Sequence, residues 1–177
     1  NEAEAEGDLL GVYALLRRRD KTKHMCYFSS DDLVAAVASP GTILHISGGK
    51  AVAECLAGTA PRGRDRLEDA AFEQQLLCDP KAAAEHNMLV DDTRNEFGAF
   101  SKPGTIRVRE YQKVVRCAAV MHLSSTVESE LAHGVLALDA LGGIVPAGVV
   151  SGAPKIAACE IISETEGDRR GIYGSAM

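Results

Sequence analysis

The chain has 177 residues and a formal net charge of −6. That length holds one domain or part of one, and the acidic balance excludes a nucleic-acid surface, which needs clustered Lys and Arg. No apolar run reaches the ~18 residues that read as a membrane span. Residues 1–7 are acidic and small, without the basic flank and apolar core of a secretory signal.

A first helix is predicted over residues 8–19, with Leu9, Leu10, Tyr13 and Leu16 on one stripe. Residues 24–28 read as a strand. Residues 33–38 are apolar and fit either strand or helix, because periodicity does not decide. Residues 42–46 and 51–56 flank Ser47-Gly48-Gly49-Lys50, a hairpin signal. Residues 57–66 are rich in Gly, Pro and Arg and are assigned to a loop. Helices are predicted over 68–77 and 80–97, the second with Pro80 in its first turn and Gly98 after its end. Past the Pro103-Gly104 turn, residues 105–108 and 113–127 are β-rich, with branched side chains throughout. Residues 134–141 read as a helix closed by Gly142-Gly143, 144–152 as a Gly- and Pro-punctuated loop, and 153–164 as a last helix. Strands and helices come in runs, which makes the class α+β.

The cysteines are Cys26, Cys55, Cys78, Cys117 and Cys159. An odd number, widely spaced and without a CxxC pair, reads as reduced thiols in a cytosolic protein, and close ligand pairs for zinc are missing.

Four stretches carry side chains that could do chemistry. In the run from Leu56, Gly58 and Thr59 follow a strand and can aim backbone N–H groups and a hydroxyl at a carboxylate; a surface turn is the plainer reading. On the long helix, Glu85, Leu89 and Asp92 share a face at i, i+4 and i+7. A carboxylate there suits Mg²⁺, which takes one or two carboxylates plus substrate oxygens, and a solvated charged face is the alternative. His122 sits inside an apolar strand, either as a general acid or base near neutral pH or as a satisfied core histidine. The run from Pro146 to Lys155 is a Gly-rich loop leading into a helix N-terminus, a geometry that favours an anion. It has neither the GxGxxG nor the P-loop pattern, so nucleotide binding has no support.

In order along the chain, these stretches resemble the C-terminal catalytic half of anthranilate synthase component I and related chorismate-using enzymes. The matches are LAGTAPRG from Leu56, DPKAAAEHNMLV from Asp79, Arg94-Asn95, PGTIRV from Pro103, VMHLSSTV from Val120, PAGVVSGAPKIAACEII from Pro146 and RRGIYG from Arg169. The resemblance implies two packed β-sheets with helices outside, around a cleft that binds chorismate. It implies Mg²⁺ bridging a substrate carboxylate to glutamates, of which Glu85 matches one. It further implies that Gly58 and Thr59 lie beside the substrate, that His122 is the active-site histidine near the reacting ring, and that Gly148 and Tyr173 line the pocket. Ammonia would come from a glutamine amidotransferase subunit or domain. Relatives that aminate C4 carry a nucleophilic lysine before the Gly-Thr pair; Ala57 stands here, which favours attack of ammonia on C2 and hence anthranilate or 2-amino-2-deoxyisochorismate. The Ser151–Lys155 run also points away from the isochorismate and salicylate branch.

The chain departs from the family pattern in four places. A Ser-Pro-Glu run reads Ser39-Pro40-Gly41, which removes the glutamate proposed to protonate the departing hydroxyl. Pro-Ala-Gly-Thr reads Pro146-Ala147-Gly148-Val149, which exchanges a hydroxyl for a methyl. The run from Asp20 to His24 lacks the Asn-Pro-Ser-Pro-Tyr signature of tryptophan-regulated members, which implies no feedback site and suits secondary metabolism. Finally, residues 1–177 are expected to be a segment of the catalytic domain, without its N-terminal part and closing strands, and inactive alone. A catalytically impaired binding subunit of the same fold is the alternative that Gly41 and Val149 raise.

Overall fold

Along Val120–Glu130 every second side chain is buried, the alternation of a strand with one covered face. This strand is the middle of the architecture seen in the computed structural model, which describes residues 6–19, 22–39 and 41–174. Residues 1–5 of the acidic start, Asp20 and Lys21 of the feedback alignment and Pro40 of the Ser-Pro-Gly run lie outside the described residues.

The strands are β1 (His24–Ser29), β2 (Val34–Ser39), β3 (His45–Ser47), β4 (Lys50–Pro61), β5 (Arg107–Arg116) and β6 (Val120–Glu130). The helices are α1 (Leu9–Arg19), α2 (Arg66–Cys78), α3 (Pro80–Gly98), α4 (Ala137–Ile144), α5 (Gly148–Ser151) and α6 (Lys155–Glu166). Strands β1 and β2 form one antiparallel hairpin, and the others form an antiparallel sheet in the order β3-β4-β6-β5. The α+β class with two sheets and surrounding helices therefore holds. Polar contacts join the sheets: Lys23 Nζ lies 2.7 Å from Glu54 Oε1, and His24 Nε2 lies 2.9 Å from Thr42 Oγ1. Among the described residues no single helix is long and apolar enough to cross a membrane.

Local chemistry sets the helix starts. Asp65 caps α2 by accepting from the Leu67 and Glu68 N–H groups, and Asp79 caps α3 by accepting from Lys81 N–H with Pro80 in the first turn. Helix α3 lays Ala82, His86, Val90, Thr93 and Phe97 against the sheet, the 3.6-residue stripe of a helix with one covered face. Phe97 and Val127, each wholly buried, centre the larger core cluster with Phe100 and Ile144. Met121, Leu123, Leu76 and Ala82 form the smaller one.

Helix α4 runs on through Gly142-Gly143 to Ile144, the 144–152 loop contains α5, and β5 runs unbroken across residues 109–112. Two further assignments from the sequence change. Residues 57–61, assigned to a loop, continue strand β4 to Pro61. The β-rich stretch 113–127 is broken at residues 117–119, where β5 turns into β6. Both changes meet at Arg62. Its guanidinium donates to Asp69 Oδ1 and Oδ2 at 2.8 and 2.9 Å and to the Cys117 carbonyl at 2.8 Å. The end of β4, the first turn of α2 and the β5–β6 turn are thereby tied to one side chain. Gly63 is required beside it: a Cβ there would sit 2.2 Å from Asp69 N.

A second tie holds the C-terminal helices. Lys155 Nζ lies 2.8 Å from Glu96 Oε1 and donates to the Ile144 and Gly143 carbonyls at 2.7 and 3.2 Å. It thus satisfies the end of α4, where orphan carbonyls favour a cation, while neutralising a carboxylate on α3 whose side chain is only 9% exposed.

Each tie carries a prediction. The Arg62 guanidinium, with the Gly63 N–H, holds Asp69 down to about 2 from an ordinary 3.8. A depressed carboxylate stabilises the fold above its unfolded value and loses that contribution as pH falls through the folded one. Wild type should therefore exceed Asp69→Asn in stability at neutral pH, the gap closing between pH 3.8 and about 2 in urea titrations; a pH-independent gap would contradict this. Lys155→Met leaves Glu96 buried without its cation and should cost ~3–5 kcal/mol in chemical unfolding, with Lys155→Met plus Glu96→Gln costing less than Lys155→Met alone.

Candidate functional site

From Ala53 to Ala57 the odd residues of β4 face the core together with odd residues of β6: Ala53 lies opposite Val127, Cys55 opposite Ser125 and Ala57 opposite Leu123. The register then slips by one, so that Thr59 rather than Gly58 lies opposite His122. Gly58 absorbs the extra residue at φ +78°, a conformation that favours glycine. A Cβ there would stand 3.2 Å from Ala82 Cβ and Leu123 Cδ1. Because side chains alternate with period two, a one-residue slip exchanges the faces. Ala60 returns to the core opposite Met121, and Thr59 emerges on the other face, its Oγ1 hydrogen-bonded to His122 Nδ1 at 2.9 Å.

That face is open. An adjoining cavity of about 570 Å³ is lined by His122, Leu56, Glu54, Ser124, Arg116 and Lys23, among others. His122 is half-buried and Thr59 exposed. Burial pushes Glu54 up, but the Lys23 ammonium and Thr42 hydroxyl outweigh it and leave the carboxyl below its usual range.

Glu85 precedes the wholly buried His86 on α3, so it points about 100° round the helix from the core side. Asn87 points as far the other way, towards β5, where the Tyr111 hydroxyl donates to its Oδ1. Glu85, Asp92 and Glu96 therefore occupy the flank on the β4 side of the sheet. Along it, Gly58 touches Ala82 and Gly148 crowds Asp92, whose Oδ2 would lie 1.4 Å from a Cβ at 148. Glu85 falls between these points, roughly 4.5 Å of helix rise from Ala82 and roughly 10.5 Å from Asp92. Thr59 and His122 are thus brought into contact; Glu85 lies on the α3 flank, Gly148 opens α5 against Asp92, and neither they nor Tyr173 line the cavity beside His122.

Within the run read as favouring an anion, the Gly148 amide donates to Glu96 Oε1 at 3.0 Å. Burial pushes Asp92 up, with Lys155 pulling it back. Tyr173 is exposed and stacks under Arg170, whose guanidinium carbon lies 5.4 Å from the ring centre. Arg170 also donates to the Val150 carbonyl at 2.9 Å, so the Tyr173 turn is held beside α5.

The Glu85 side chain is 53% exposed, with Lys81 Nζ 3.8 Å away. Among the described residues no three His, Cys, Asp or Glu side chains gather to hold a metal. Glu85 is thus a single hard oxygen donor. It could supply at most one of the one or two carboxylates that Mg²⁺ takes beside water and substrate oxygens.

Sequence reasoning missed His86. It sits on the stripe of Ala82, Val90, Thr93 and Phe97, and that periodicity was the available signal for a buried histidine. Its Nδ1 lies 3.2 Å from the Ala57 carbonyl oxygen and its Nε2 lies 2.7 Å from Ser125 Oγ.

The chain is similar in sequence and fold to known proteins. Anthranilate synthase component 1 of Thermus thermophilus is 46% identical over 166 residues, covering 94% of this chain and 36% of that protein. The crystal structure of anthranilate synthase component I from Streptococcus pneumoniae superimposes with a TM-score of 0.85 at 35% identity, covering 97% of this chain and 38% of the other. The menaquinone-specific isochorismate synthase of Escherichia coli shares the fold, with a TM-score of 0.66 at 24% identity over 76% of this chain and 31% of the other. The chain thus spans about a third of the length of these relatives. The model of the chorismate binding enzymes matches residues 1–177, and with these likenesses it shows that the chain belongs to the chorismate binding enzyme family.

Proposed function

We propose that the chain supplies one wall of an active site that aminates chorismate at C2, giving anthranilate with loss of pyruvate, or 2-amino-2-deoxyisochorismate without it. The observation that carries this reading is the contact of Thr59 Oγ1 with His122 Nδ1, made on an open sheet face by the slip at Gly58. A hydroxyl and an imidazole so placed can hold a carboxylate and move a proton beside the reacting ring. Ammonia adds at C2, the C4 hydroxyl departs as water once protonated, and elimination of pyruvate aromatises the ring. Glu85 would hold Mg²⁺, which when bound offsets the charge of the dianion and polarises the departing hydroxyl. Gly58 lets the backbone approach the substrate closely, and Gly148 and Tyr173 shape the pocket beyond Glu85. The ammonia source is a glutamine amidotransferase subunit or domain, and the setting is the cytosol.

A second reading, of an impaired enzyme or binding subunit, is favoured by Gly41. It has no proton to give, and a Cβ there would stand 3.2 Å from Leu56 Cδ1. At Val149, 69% exposed, a methyl stands where the family pattern has a hydroxyl.

The polypeptide that carries this chain in full should form fluorescent anthranilate, or the aminated diene by chromatography, from chorismate, ammonium and magnesium salts. Chorismate binding in calorimetry without aminated product would reject the aminating reading. Thr59→Val should lower kcat/KM by roughly 10–100-fold, the worth of a hydrogen bond to a charged group. Gly41→Glu separates the two readings. An active wild type contradicts impairment, whereas a silent wild type that gains turnover on acquiring the acid supports it, general acid catalysis contributing ~10²–10⁴-fold.

A further inference from the structure

The slip at Gly58 frees a backbone carbonyl at Ala57 on the core side of the sheet, and a buried carbonyl needs a donor. His86 is the side chain that meets it, 0% exposed and uninvolved in the proposed chemistry. A carbonyl oxygen only accepts, so the ring nitrogen facing it must carry hydrogen. That fixes the neutral ring as the Nδ1–H tautomer, with Nε2 accepting from the Ser125 hydroxyl at 2.7 Å. Ser125 Oγ in turn accepts the Gln112 N–H at 2.9 Å. Gln112 belongs to the second irregularity of the sheet, between Arg109 and Lys113 of β5, where Glu110 and Gln112 both have positive φ. One directed chain therefore runs from the β5 bulge through Ser125 and His86 to the β4 bulge.

We infer that His86 is a positioning residue. Through the Ala57 carbonyl it holds the Gly58 slip that carries Thr59 onto the face of His122, and through Ser125 it couples that slip to the bulge of β5. The role deepens the proposed function and depends on it only where activity is read. Without the slip, Gly58 would lie opposite His122 and Thr59 would turn to the core side. His86 thus acts on the site from the far side of the sheet, never touching substrate.

The test uses the full polypeptide with its histidine side chains labelled with nitrogen-15. In wild type, long-range proton–nitrogen spectra should show His86 as the Nδ1–H tautomer; an Nε2–H ring would overturn the inference whatever the enzyme does. His86→Leu should shift the ring nitrogens of His122 and lower kcat/KM roughly 10²-fold, the cost of about 1 Å of misplacement. His86→Gln, whose amide can donate to Ala57 and accept from Ser125, should restore the His122 signals and part of the activity. If His86→Leu does not fold, Ser125→Ala serves instead: it should move the Gln112 amide resonance and the His86 ring signals together. Unchanged His122 signals in a folded His86→Leu, or independent responses in Ser125→Ala, would refute the positioning role. A polypeptide that makes no aminated product yet passes these spectroscopic tests would refute the proposed function alone.

Discussion

The pairing of β4 with β6 is the constraint on which the rest of the molecule turns. Eleven residues of β6 present one side to a helix and the other to an open face, and β4 runs antiparallel to them through its whole length. Each strand must choose which of its residues go inward. β4 makes that choice twice, once before Gly58 and in the opposite sense after it. The apolar side of the ladder stays filled throughout, because Leu123 and Met121 still meet Ala57 and Ala60. The gain falls on the polar side, where a threonine and a histidine separated by 63 positions of sequence become neighbours.

Helix α3 translates that sheet into a site. Its core stripe is fixed by burial against β4 and β6, so the orientation of every other residue follows from helical geometry. One flank looks towards β5 and carries Asn87, Asp91 and Arg94; the other carries Glu85, Asp92 and Glu96. The division of labour along this second flank is clear in the contacts. Glu96 serves Lys155 and the Gly148 amide, Asp92 packs on Gly148, and Glu85 is left half-exposed with the exposed Lys81 3.8 Å away. Glu96 is taken up by internal donors and Asp92 is crowded by Gly148, which leaves Glu85 as the open carboxylate of the three.

Much of this was legible in the sequence, for physical reasons that differ from element to element. The helices α2 and α3 announce themselves by Asp65, Asp79 and Pro80, whose capping chemistry is local. The resemblance to the family named the two stretches that hold Thr59 and His122. Their contact could not be derived from residue types, because it depends on a register slip and hence on pairing across the chain. Residues 57–61 looked like loop because Gly and Pro usually break strands; here Gly58 occupies the slip and Pro61 the strand end. The turn at 117–119 has no Gly, Pro or Asn to mark it, since Arg62 from elsewhere satisfies its Cys117 carbonyl. The apolar run at 33–38, ambiguous by periodicity, falls in strand β2 from Val34 onward because β1 offers it an antiparallel partner. His86 is marked in the sequence only by its place on the apolar stripe of α3, since its partners Ala57 and Ser125 come from distant strands.

The link between Lys155 and Glu96 bears on how such a chain can drift over generations. Neither residue is free to change first, since each lone replacement strands a charge away from water. The two positions, 59 residues apart by subtraction of their numbers, are therefore bound to a common history. Lineages that lose one should be found to have lost both, while the solvent-facing Lys81 and Lys102 wander independently of their acidic neighbours.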